Sequence, residues 1–134
     1  MRTITKDIQI LIDGNPQGFR LTKPDAFSGV EILRLLLRLQ DARPEENLSV
    51  LDLITSLSSD ELRSVMISCL NHIEVLLPAG PHPVMTGSEW GYPELKHDTV
   101  VCLKLVLEEI AWALEGFFGD GGRNAPPADA TTSP

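Results

Sequence analysis

Glu94 and His97 stand three residues apart in Glu94-Leu95-Lys96-His97, the spacing that places a carboxylate and an imidazole on one side of a helix. A carboxylate-bridged metal pair in a helical bundle needs two such pairs, plus a glutamate from each of two more helices. This sequence has a single pair, at what reads as a helix start, where glutamate favours the positive end of the dipole. It therefore predicts capping and a solvated face. Cys69, His72, His82, His97 and Cys102 are zinc-type donors, yet none falls in a Cys-x2-Cys or His-x3-His spacing. Both cysteines lie near apolar stripes, where a free thiol is buried and inert. No Gly-x-Ser-x-Gly occurs. Gly116-Phe117-Phe118-Gly119-Asp120-Gly121-Gly122 follows a helix, whereas a phosphate cradle joins a strand to a helix N-terminus. It reads as a helix end running into a linker. The expectation is a protein that is not an enzyme, with no catalytic residue, no metal and no cofactor.

The aromatic residues point instead to contact with another protein. Trp90 and Tyr92 fall in a Pro/Gly-rich stretch, while Trp112, Phe117 and Phe118 cluster near the end of the last apolar segment. Aromatics so placed are core plugs or interface anchors. Trp112 is expected in the core, and Phe118, one position off the stripe, at an exposed or interface position. Trp90, Tyr92, Phe117 and Phe118 are candidate partner-binding residues. Leu36 and Leu37 join them, because the segment around them is apolar over more than half its circumference and suits a groove for a partner helix.

Eleven Lys+Arg against nineteen Asp+Glu leave the 134-residue chain at −8, which excludes the concentrated positive charge of a nucleic-acid binder or of a surface docked on anionic lipid. The acid is uneven, since residues 59–118 hold three basic and nine acidic groups. Two cysteines are too few for a disulfide scaffold and suit a reducing compartment. The longest apolar run, 32–39, is broken by Arg34 and Arg38, and no stretch reaches the roughly 20 residues of a membrane span. A cytoplasmic protein with no membrane contact and no small-molecule substrate is expected.

These residues must be carried by a small set of elements. Residues 3–12 alternate in the strand period, with Ile4, Ile8, Ile10 and Ile12 on one side and Lys6 interrupting the row. Residues 13–18 are dense in turn formers, and 19–22 alternate again, which predicts a β-hairpin over 3–22. Ser28 and Glu31 read as a capping box opening a helix over 28–42, with Pro24 and Asp25 able to add an earlier turn. A shorter helix is expected over 48–57. Ser58 and Glu61 form a second capping box, for a helix over 59–77 ended by Pro78. Four prolines and three glycines make 78–93 an irregular loop. A last helix is expected over 94–118, with Val100, Leu103, Leu107, Ile110, Leu114 and Phe117 as its apolar stripe. The fold class is α+β: an N-terminal β-hairpin followed by a compact bundle of three to four helices. Residues 1–118 form one domain and 119–134 a flexible tail.

The order of parts carries a resemblance. A strand pair ending in Phe19-Arg20-Leu21-Thr22-Lys23-Pro24-Asp25-Ala26 leads into a leucine-rich helix. Further helical segments follow, then a loop, then a long helix closing on Glu115-Gly116-Phe117-Phe118-Gly119 and a low-complexity tail. Over roughly residues 5–122 this arrangement resembles the tail assembly chaperones of long-tailed bacteriophages and prophages. The resemblance implies a non-enzymatic protein of the bacterial host cytoplasm. Such a protein binds the long, helical tape measure protein, keeps it soluble, helps recruit tail tube subunits and self-associates as a homo-oligomer. An extension made by ribosomal frameshifting would join near Gly119. The charge of residues 59–118 supports an alternative, a small acidic inhibitor or immunity-type protein that caps a basic partner.

Overall fold

The fold is described by a computed structural model covering residues 3–115; Phe117, Phe118 and the expected tail 119–134 lie outside the described residues. Its first turn is made by Asp13 and Gly14, both at positive φ (53° and 83°). This two-residue pair joins antiparallel strands with the twist that strands prefer. β1 (Thr5–Ile12) and β2 (Asn15–Thr22) leave it in unbroken register, with Ile12 opposite Asn15 and Thr5 opposite Thr22. The hairpin is as expected, although residues 15–18 are strand rather than turn. Ile8, Ile10 and Ile12 share the inner face with Phe19 and Leu21. Lys6, which breaks that row, lies with its Nζ 5.7 Å from the centroid of the Trp112 ring, so the indole face receives the charge.

α1 (Ala26–Ala42) begins earlier than the Ser28–Glu31 box implies. Asp25 is the cap, its carboxylate accepting the Ser28 N–H at 2.8 Å, and Glu31 pairs with Arg34 instead. α2 (Val50–Thr55) is opened by a reciprocal Ser49–Asp52 box within the expected 48–57. α3 (Ser59–Leu70) starts at the Ser58–Glu61 box as expected, and Arg38 reaches across from α1 to bond the Glu61 carboxylate at 2.8 Å.

The expected helix 59–77 is two elements. The chain turns at Asn71-His72, and β3 (Ile73–Leu77) runs antiparallel to β2, with Phe19 opposite Val75. Ile73, Val75, Leu76 and Leu77 satisfy a strand as well as a helix. Backbone pairing to a strand fifty residues upstream decides the matter, helped by the Thr22 N–H donating to the His72 carbonyl at 2.9 Å. The expected loop 78–93 is also partly strand. β4 (Gly80–Pro83) lies beside β3, and β5 (Met85–Thr86) pairs with β6 (Glu89–Trp90). Pro81 and Pro83 are tolerated because β4 is an edge, where a missing N–H removes no ladder bond on the open side. The main sheet has the order β1-β2-β3-β4.

The last expected helix, 94–118, is a short 3-10 turn (Pro93–Leu95) followed by α4 (Thr99–Ala113), capped by Asp98 accepting the Val101 N–H. Its buried face overlaps the expected stripe without matching it. Ile110 and Leu114 are buried as expected and Leu103 and Leu107 half-buried, but Val100 is 62% exposed, and Val101, Cys102, Leu105 and Val106 are buried in addition. α4 packs on α3 and reaches β2, and the sheet's inner face closes a single core around Phe19, Leu21, Leu36, Ile54, Leu105 and Ile110. The α+β class is as expected, the hairpin being half of a four-stranded sheet. Among the described residues no helix is long and apolar enough to cross a membrane.

Candidate functional site

Leu62, Met66 and Leu70 follow one another at i, i+4 spacing down α3, with Ile67 beside them, and so face one way. Cys102 comes from the first turns of α4, and Met85 and Trp90, a directly opposed pair, come from β5 and β6. These side chains enclose a pocket of about 390 Å³, within the size range of small-ligand and side-chain sites. Leu70, Met85 and Cys102 are buried at its base; Leu62, Met66, Ile67 and Trp90 are half-buried walls.

Two local devices hold the β5–β6 hairpin over this seam. Asn71, at the end of α3, exchanges two hydrogen bonds with Gly87: its Nδ2 donates to the Gly87 carbonyl at 2.9 Å and its Oδ1 accepts the Gly87 N–H at 2.7 Å. Gly87 sits at φ +59°, a turn geometry that suits glycine. Behind Trp90, the Gly91 N–H donates to the Val84 carbonyl at 2.9 Å, and His82 Nε2 lies 2.8 Å from the Gly91 carbonyl. The backbone of Gly91 passes so close to Pro83 that a Cβ would collide with the Pro83 carbonyl oxygen.

The rim is polar and carries positive charge. Ser59, Arg63, Ser88, Lys96 and Thr99 are exposed around the mouth. Among the described residues neither Arg63 nor Lys96 has a carboxylate within 4 Å. Asp98 also borders the pocket, with its carboxylate committed to capping α4. The Cys102 thiol donates to the Leu95 carbonyl at 3.2 Å, and burial pushes its pKa up to about 11, so it stays a neutral thiol rather than a nucleophile. Such a site suits the binding of an apolar side chain, with two flexible methionines able to follow its shape.

The residues singled out from sequence fall in different places. Trp90 is a wall of the pocket. Tyr92 is half-buried two residues on; burial first, and Glu94 second, raise its phenol pKa, and its hydroxyl lies 3.3 Å from the Glu94 carboxylate. Leu36 is fully buried in the core and offers nothing to a partner, while Leu37 is half-buried. Phe117 and Phe118 lie outside the described residues. Glu94 sits in the 3-10 turn and His97 ahead of α4, both exposed, so the pair shares no α-helical turn. Cys69 is buried, its thiol pKa raised by burial and then by Glu109. Among the described residues no three of His, Cys, Asp and Glu come together as a metal site. Trp112 is half-buried, with Lys23 Nζ 4.4 Å from its ring centroid. Met66, Met85, Arg63 and Lys96 were not candidates. Their one sequence signal is that Arg63 and Lys96 are two of only three basic residues in 59–118.

No protein-family model, curated protein or solved structure matches this chain.

Proposed function

We propose that this chain is a non-enzymatic assembly chaperone that binds a long helical polypeptide and keeps it soluble. In the family it resembles, that polypeptide is the tape measure protein of a phage tail, and tail tube subunits are recruited to the complex. The observation that carries this reading is the apolar pocket between α3, α4 and β5–β6, with Trp90 and Met66 in its walls and polar residues around its mouth. A clamped, methionine-lined slot of that size takes one large side chain at a time, which suits repeated, modest contacts along a helical partner. The element order seen in the sequence and the acidic charge, which keeps a complex soluble, support the same reading.

Co-expression with the tape measure protein of the same tail gene cluster tests the proposal. A soluble complex that co-purifies is the expected result. A tape measure protein as insoluble as when expressed alone would overturn it. The alternative, an acidic protein capping a basic partner, rests on the −6 balance of residues 59–118. It requires a single 1:1 complex whose on-rate falls steeply with salt.

A further inference from the structure

We propose that the α3–α4 pocket selects its partner by charge: it takes a large apolar side chain from a helical segment in which that side chain is flanked by carboxylates. This rests on the reading of the chain as a polypeptide-binding protein, and it names the chemistry of the segment bound.

The argument starts from where the few cations stand. Residues 59–118 hold nine acidic groups and three basic ones, Arg63, Lys96 and Lys104. Two of the three border one apolar pocket. Their neighbours on the chain supply carboxylates in plenty, yet among the described residues neither cation pairs with one within 4 Å. Both keep their charge in solvent at the mouth. Asp98, the pocket's carboxylate, caps α4 by accepting the Val101 N–H and pairs with neither cation, so the lining holds two positive charges against one negative. The chain's overall charge of −8 would repel an acidic partner from a distance, but at physiological salt charges are screened beyond about 8 Å. Within that distance the pocket's own lining decides, and it holds two cations to one carboxylate.

The base of the pocket sets the other half of the requirement. Leu70, Met85 and Cys102 offer no free hydrogen-bonding group, since the Cys102 thiol is already bonded to Leu95. A polar side chain entering there would lose its water and gain nothing. An aliphatic or aromatic one is stabilised by burial, and a carboxylate one helical turn away reaches Arg63 or Lys96. A basic flank would meet Arg63 and Lys96 with only Asp98 to offset them. Pockets that admit one charge pattern and repel the other achieve selectivity by both routes.

The experiment measures binding of two labelled 20-residue helical peptides to the full chain at 0.15 M salt, by fluorescence anisotropy. Both carry Leu at i and i+4; one flanks them with Glu, the other with Lys. The Glu peptide is expected to bind about tenfold more tightly. Arg63→Glu with Lys96→Glu, at exposed positions that leave the core intact, is expected to reverse the preference. Equal binding of the two peptides, no binding of the Glu peptide, or an unchanged preference in the double variant would overturn the proposal. Another occupant would also overturn it: a second copy inserting the 84% exposed Phe27, seen as peptide binding that weakens with protein concentration and is restored by Phe27→Ser. If the double variant still keeps the tape measure protein soluble, the chaperone reading stands and the charge-selective pocket falls. If the Glu peptide binds with the expected preference and the tape measure protein stays insoluble, the reverse holds.

Discussion

Glu109 is the residue whose chemistry least fits its place. It is 1% exposed, and neither carboxylate oxygen has a hydrogen-bond partner. An ionised carboxylate so enclosed is costly, and burial alone raises its pKa from 4.5 to about 8. The folded chain therefore keeps a proton on Glu109 where the unfolded chain has released it, across the window from about 4.5 to about 8. Because the folded state binds the extra proton there, raising pH through that window destabilises it, by on the order of 3 kcal/mol at pH 7 relative to acid. Glu109→Gln should remove this dependence. Urea midpoints measured at pH 5 and pH 8 should fall clearly for the natural chain and much less for the variant. Equal falls would show that Glu109 is solvated. Nothing in the local sequence Leu107-Glu108-Glu109-Ile110 announces the burial, since the two adjacent glutamates differ only in which way α4 turns them, and the second one faces inward.

At the scale of elements, what was legible was what local chemistry dictates. Asp13-Gly14 and the alternating isoleucines gave the hairpin, and Ser58 with Glu61 gave the start of α3. The parts not legible depend on partners far along the chain. Ile73–Leu77 carries apolar residues that suit either period, and becomes strand because β2 stands ready beside it. The Pro/Gly stretch 78–93 reads as an irregular loop from its composition, yet it holds β4 at the sheet edge and the β5–β6 hairpin. That hairpin is not legible locally, because it is held by Asn71 and by the close pass of Gly91 over Pro83. That close pass makes a prediction. Gly91→Ala forces the β6 backbone away from β4, and overpacking of this kind costs about 1–3 kcal/mol. Circular dichroism melts should show the loss. Trp90 should become more solvated, read as a red shift in its emission in a Trp112→Phe background. An unchanged melting temperature would mean that the strands do not approach as described.

Across the whole molecule, charge and apolar surface are arranged in opposition. Within the acidic half of the chain one pocket has an apolar base and a border that holds Arg63 and Lys96 against Asp98. Composition revealed the first part of that arrangement and hid the second, because a net charge sums over positions that only the fold brings together. The leucine-rich α1, which reads from the sequence as the binding element, spends Ile32 and Leu36 on the core while Phe27 and Val30 stay exposed; the proposed partner surface is the α3–α4 seam instead. The claim that this seam holds a helical polypeptide can be tested by photo-crosslinking. A photoreactive amino acid at Ser88, exposed on the pocket rim, and another at Phe27, exposed on α1, would be introduced separately into the full chain and co-expressed with the tape measure protein. The account predicts adducts with the tape measure protein from position 88 and few or none from position 27. Adducts from position 27 alone, or from neither, would contradict it.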